Sequence, residues 1–137
     1  MKGIYILLLR IKKDLNMRIG SLGIIHFSSG MYAYIGSAQN SLEKRIERHI
    51  KRNKKKYWHI DYLTTHKHVR VERIFYKPLG KEWEDRVALM INKHGRPIKG
   101  FGASDSKIDS HLFFIHDFEG FYALLNNLGF SIVNRKI

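Results

Sequence analysis

The sequence predicts an α+β fold: a small mixed, mainly antiparallel β-sheet flanked by three or four helices, in one domain spanning residues 1–137. Two kinds of segment carry that reading. Runs of β-branched, aromatic and other apolar residues fill much of the first third and return near residues 69–76 and 112–115. Amphipathic stretches with helix-capping residues lie between and after them. No repeat, low-complexity tract or Pro/Gly/Ser-rich linker divides the chain, and 137 residues suit one ordinary domain with a core large enough to need no staples.

Residues 3–11 are continuously apolar apart from Arg10 and predict a central strand. Met1 to Leu9 resembles the start of a signal peptide, but Arg10 and Lys12-Lys13 interrupt it and no small-residue cleavage site follows. Met17–Ile19 and Ile24–Phe27 are short strands around Gly20-Ser21-Leu22-Gly23, and Ser28-Ser29-Gly30 is turn chemistry. Met31–Ile35 alternates and is rich in aromatics, so the first third reads as a β-meander. Asn40 or Ser41 caps a helix with Leu42, Ile46 and Ile50 on one face. Trp58–Thr64 is a short helix, Val69–Tyr76 a strand, and Glu82–Lys93 a helix with Trp83, Val87, Met90 and Ile91 on one face, ended by His94-Gly95. Residues 95–111 form a polar, glycine-bearing loop long enough to suggest function. Leu112–Ile115 is a strand, Asp117 caps a last helix to about Leu128, and Ile132-Val133 adds an edge strand.

Lys and Arg number 25 against 12 Asp and Glu, a net charge of +13 before any of the eight histidines protonates. Self-repulsion on this scale does not help folding, so it points to a polyanion, nucleic acid before an anionic membrane surface. No apolar run reaches the roughly 18 residues that span a bilayer. The absence of cysteine excludes disulfides, thiolate nucleophiles and Cys-type zinc sites, and a cytoplasmic location is the default. Residues 43–56 hold eight of the cations, Lys44, Arg45, Arg48, Lys51, Arg52, Lys54, Lys55 and Lys56, on one side of a helix, with Tyr57-Trp58 directly after. The bland reading is a solvated face. The functional one is a groove that tracks phosphates, with rings nearby for bases or sugars.

Gly3-Ile4-Tyr5 opens the first strand, and Tyr34-Ile35-Gly36-Ser37 closes a later one. Leu42-x-x-Arg45-x-x-x-His49 follows on the basic helix, and a downstream helix carries Glu82 and Glu84. The ordered set resembles the GIY-YIG nuclease superfamily. Longer matches are Tyr32 to Ala38, Arg45-x-x-Arg48-His49, Trp58 to Leu63, Gly100 to Asp105 and Ser110 to Phe113. They resemble a compact, largely archaeal branch known as a domain of unknown function, some of whose members are fused to an endonuclease-III-type glycosylase. The resemblance covers about residues 3–115. It departs in a longer interval between Tyr5 and Tyr34, and in lacking the cysteines that branch members carry near Ser106 and at the position of Asp85.

The resemblance implies a metal-dependent DNA endonuclease with Tyr5, Tyr34, Arg45, His49 and Glu84 as catalytic residues and Glu84 as ligand to Mg²⁺ or another divalent cation such as Mn²⁺; Glu82 is the alternative carboxylate. The chemistry asks for such groups. A hard cation takes carboxylate oxygen, Arg45 forks onto a phosphate, and a tyrosine whose pKa is lowered by a nearby metal and cation serves as base or water-orienting group, Tyr5 ahead of Tyr34 as base. His49 would orient Tyr5 or contact phosphate. The expected DNA contacts are Lys44, Arg48, Lys51, Arg52, Lys55, Trp58, His59, Lys99, Phe101, Ser104 and His111, with Trp58, Phe101 or Tyr57 as a wedge into a gap in the duplex. His111 and Asp105 are equally readable as structural. His59, His66 and His68 read as part of a basic surface rather than a zinc cluster. Gly100-x-Gly102 is no dinucleotide fingerprint and instead lets backbone approach DNA or the catalytic core. The expected partner is double-stranded DNA with an abasic or otherwise damaged or structured site, and a functional link to a glycosylase. The alternatives are a metal-independent abasic-site lyase using Lys99 or Lys107, and a non-catalytic nucleic-acid-binding module. A peripheral membrane protein is more distant, since the helix has only a narrow apolar stripe.

Overall fold

The computed structural model describes residues 1–102 and 108–134. Its strands are β1 (Gly3–Ile11), β2 (Leu15–Arg18), β3 (Ile24–Phe27), β4 (Gly30–Ala38), β5 (Val69–Lys77), β6 (Gly95–Pro97), β7 (Leu112–Ile115) and β8 (Ser131–Ile132). Its α-helices are α1 (Leu42–Ile50), α2 (His59–Thr64), α3 (Trp83–Asn92) and α4 (Phe118–Asn127). Six strands form one sheet in the order β6-β7-β4-β1-β5-β8, and its described pairings are all antiparallel. The α+β expectation holds.

The apolar run of β1 is explained by its place in the middle of that sheet, covered on both faces. Its odd residues Tyr5, Leu7, Leu9 and Ile11 face one core, shared with α1, α2 and the β2–β3 hairpin. Its even residues Ile4, Ile6 and Leu8 face the other, shared with α3 and α4. The sheet is therefore the middle layer of three. Among the described residues, no helix is long and apolar enough to cross a membrane.

Three expectations change. The first third is not a meander: β2 and β3 pair only with each other, and β4 returns to pair with β1 from Gly3↔Ala38 to Ile11↔Gly30. The reason is burial, since β1 needs a long, two-sided apolar neighbour, and the residues of β2 and β3 include exposed Asn16, Arg18, Ile24 and His26. Second, residues 95–111 are not all loop, because Gly95–Pro97 pairs with β7. Gly95 allows that pairing: a Cβ there would stand 2.0 Å from the Phe114 carbonyl oxygen. A three-residue strand carrying a glycine and a proline leaves no periodicity to read. Third, α1 ends at Ile50, where Lys51 leaves the helix with φ −63° and ψ 123°. Only Lys44, Arg45 and Arg48 of the eight cations lie on the helix.

Ser41 caps α1 by accepting the Lys44 N–H, and Asp117 caps α4 by accepting the Gly120 N–H. The helix expected over Glu82–Lys93 matches α3 with its two capping residues. Phe101 is fully buried, with its ring edge-on to those of Phe27, Tyr34 and His59. It is core, and the wedge role expected for it is withdrawn. Phe101→Ala is expected to cost about 3–5 kcal/mol of unfolding free energy in urea titration; a loss under about 1 kcal/mol would mean the ring is not part of the core.

Candidate functional site

At the end of the sheet where β1 begins and β4 finishes, the N-terminal ends of α1, α2 and α3 converge around a cleft of about 830 Å³. The strand register explains why the two tyrosine tripeptides belong together. Tyr5 pairs across from Gly36 and Leu7 from Tyr34, so the tyrosines are diagonal neighbours on one face of the sheet. The Tyr5 ring lies over Gly36, where a Cβ would stand 2.4 Å from the Tyr5 hydroxyl. Glycine there is a steric requirement of the tyrosine. Gly36→Ala is expected to displace that ring and to destabilise the fold by about 1–3 kcal/mol, read by urea unfolding; an unchanged midpoint would show the ring free to move aside.

Helix α1 delivers three side chains to this end. His49 is fully buried, with Nε2 2.8 Å from the Tyr5 hydroxyl. Arg45 donates to the Ser37 carbonyl at 3.1 Å, and its guanidinium lies 4.6 Å from the centre of the Trp58 ring. Arg48 lies 4.3 Å from that ring and forks onto Asp61 with bonds of 2.9 and 2.8 Å. The Asp61 carboxylate, fully buried, also accepts the Tyr57 and Trp58 backbone N–H groups at 2.8 and 2.9 Å. His59 lines the cleft and accepts the Gly102 N–H on Nδ1, which puts the proton of the neutral ring on Nε2. Gly102 has φ +68°, and a Cβ there would meet the Tyr34 ring at 3.2 Å. Gly102 thus brings backbone against the tyrosine, whereas Gly100 lies against Leu22.

From the other layer, Glu84 and Asp85 open α3 and reach the same cleft. Beside them His111 is 5% exposed, its Nε2 3.3 Å from Asp85 Oδ1 and 3.7 Å from Glu84 Oε1. Those three ligand atoms lie within 4.8 Å of one another. Glu82 also lines the cleft, but its carboxylate lies over Gly80, at the N-cap of α3.

Burial sets the ionisation. It pushes the Tyr5 phenol up to about 12, against the pull of the Arg45 guanidinium, and drives Tyr34 well above its ordinary value. The lowering expected from the sequence depends on a metal beside the tyrosine; in the protein by itself burial dominates. Burial, with Lys54 nearby, lowers His49 to about 3. Burial raises Asp61, but the Arg48 fork and the two backbone donors outweigh it and hold the carboxyl at about 2. Burial lowers Lys54 to about 8; its ammonium donates to the Arg48 and His49 carbonyls at the end of α1.

The cleft gathers Tyr5, Tyr34, Arg45, Glu84, Lys44, Arg48, Trp58, His59 and His111 from the expected set, with His49 directly behind Tyr5. Lys51, Arg52, Lys55 and Lys99 are not among its lining residues. Arg52 is held by the Val69 and His66 carbonyls. Ser104, Asp105 and Lys107 lie outside the described residues. No spacing along the chain joins His111 to Asp85, which lie 26 positions apart, and Asp61, within the Trp58 to Leu63 match, is the anchor of Arg48.

The chain matches the family described as Domain of unknown function DUF123 over residues 4–132, and it belongs to that family. No curated protein and no solved structure matches it.

His49 generates a prediction about pH. Its folded pKa of about 3 is below the unfolded value of 6.5, so between these values the unfolded chain binds the extra proton. The stability from the neutral ring is present in full above about pH 6.5 and is lost as pH falls towards 3, by up to about 1.4 kcal/mol per unit. Asp61 adds a loss only below about pH 4, since its depressed carboxyl must be protonated. Urea unfolding between pH 7.5 and 4.5 should therefore show a steeper loss for wild type than for His49→Gln; parallel profiles would refute the neutral buried imidazole.

Proposed function

We propose that the protein is a DNA endonuclease of the GIY-YIG type that hydrolyses a phosphodiester in DNA repair, at abasic or otherwise damaged or structured sites. The observation that carries this reading is the convergence of Tyr5, Tyr34, Arg45 and Glu84 on one cleft, from four elements. The surroundings support a polyanionic substrate, since Lys44, Arg45, Arg48 and Lys81 line the same cleft. The choice of an abasic or damaged site rests on the resemblance to chains fused to a glycosylase, whose product must be incised.

The donor set suits a divalent cation, because Glu84 presents a carboxylate toward the cleft with a second carboxylate and an imidazole beside it. Mg²⁺ or Mn²⁺ held by Glu84 would supply positive charge against the developing phosphorane and lower the pKa of groups next to it. Arg45 would clamp a phosphate oxygen, with Trp58 holding its guanidinium plane. Tyr5, protonated in the protein by itself, would position the attacking water through its hydroxyl and become a base only under a nearby cation. His49 would orient Tyr5 rather than take its proton, since an imidazole held near 3 is a poor acceptor. Tyr57, 81% exposed and lining the cleft with its ring edge-on to Trp58, is the exposed aromatic for an unpaired base or a gap; the Trp58 ring is engaged by two guanidiniums.

Of the two lysines in the lyase alternative, Lys99 does not line the cleft and Lys107 lies outside the described residues. Gel cleavage of intact, nicked, flapped and abasic-site duplexes, with Mg²⁺ or Mn²⁺ and with chelator, tests the reading. Cutting of the abasic or structured duplex should require metal and fall about 10²-fold or more in each of Tyr5→Phe, Arg45→Ala and Glu84→Gln. Cutting that survives both chelator and Glu84→Gln would make the enzyme a lyase. Salt-sensitive binding without any cutting would make it a binding module.

A further inference from the structure

The cation reading above uses one carboxylate, but the cleft wall offers more. Glu84 and Asp85 are adjacent in the first turn of α3, and His111 precedes β7. The imidazole edge faces both carboxylates, at 3.3 and 3.7 Å. The position of His111 is fixed by its backbone, which donates to the Phe101 carbonyl and accepts the Ile35 N–H. Bonds of about 2.1 Å to one ion put neighbouring ligand atoms about 3.0 Å apart in an octahedral site and about 3.4 Å apart in a tetrahedral one. The two separations from His111 are close to those edges, and all three ligand atoms lie within 4.8 Å of one another, so modest side-chain adjustments would bring them onto one ion.

The ligand types narrow the ion. Mg²⁺ prefers an all-oxygen shell rich in water, whereas imidazole with carboxylates suits Mn²⁺, Co²⁺ and Zn²⁺. The two carboxylates and the imidazole line one cleft, whose other walls carry Lys44, Arg45 and Arg48. Glu84 is 15% exposed and Asp85 36%, which leaves the side toward the cleft open to water or a phosphate oxygen.

We propose that His111, Asp85 and Glu84 together form a three-ligand centre for a divalent transition-metal ion, with open positions toward the cleft. The proposal deepens the nuclease reading, from which it takes Glu84 as a metal ligand. It adds Asp85 and His111 and changes the preferred ion.

Titration of the full chain with Mn²⁺, followed by loss of the free-ion EPR signal, measures occupancy, and pulsed EPR reads nitrogen next to the bound ion. One Mn²⁺ per chain with ¹⁴N coupling is expected, retained in a tenfold excess of Mg²⁺. His111→Gln should abolish the coupling and weaken binding at least tenfold. Asp85→Asn, which keeps the side chain's size and shape, should weaken binding similarly and keep the coupling. Bound Mn²⁺ without nitrogen coupling, coupling that persists in His111→Gln, or unchanged affinity in both variants would overturn the centre and leave the His111 contacts as an ordinary ion pair. Cleavage of DNA without nitrogen coupling would sink the ligand set and spare the nuclease reading. Nitrogen-coupled Mn²⁺ with no cleavage of any duplex would do the reverse.

Discussion

The buried carboxylate of Asp61 organises one side of the cleft. It fixes the Arg48 guanidinium by a two-pronged bond, takes two backbone donors from the chain entering α2, and lies 3.8 Å from the Lys54 ammonium. Arg48 then lies against Trp58, Trp58 against Arg45, and Arg45 beside the Tyr5 hydroxyl. A charge taken out of water is costly unless paired and hydrogen-bonded, and removing one partner of such a pair typically costs about 3–5 kcal/mol. Asp61 therefore fixes Arg48, and the Trp58 ring carries that order on to Arg45, which is also held by the Ser37 carbonyl. Guanidiniums that bind a phosphate from fixed positions lose less freedom on binding than lysines on flexible stems.

This division of labour alters the meaning of the basic run. Charge composition alone treats residues 43–56 as one phosphate-facing stripe. Within it, Arg52 and Lys54 satisfy backbone carbonyls, Arg48 pairs with Asp61 while lining the cleft, and Lys44 and Arg45 line it as well. A cation can serve the fold and the field at once, because its charge still acts at a distance when its hydrogen bonds are used locally. Net charge reports the field and cannot assign the bonds.

Much of the fold was legible because each long element shows its burial. β1 is apolar on both faces, α1 repeats Leu42, Ile46 and Ile50, and Asp117 and Ser41 cap their helices. The pairing of Tyr5 with Gly36 was legible as a motif before it had a steric reason. What stayed hidden depends on distance along the chain or on the absence of a side chain. β6 exists because Gly95 leaves room for a carbonyl; Phe101 looks like a loop aromatic until the core closes over it; His111 meets Asp85 only through the fold. The desolvation that raises Tyr5 in the protein by itself has no signature in the sequence either.

The β2–β3 hairpin stands outside the six-stranded sheet although it joins β1 to β4, the two strands that carry the tyrosines. Side chains on a strand alternate between faces, so one residue added within either strand would turn a tyrosine away from its partner. A residue added at the hairpin tip, around Ser21 in the Gly20–Leu22 turn, shifts no pairing in the main sheet. Neighbouring stretches thus differ in tolerance: the ladder is frozen in length, while the exposed Ser21 at the tip of its connector, between buried Ile19 and core-packed Leu22, is the place where a grafted loop could enter.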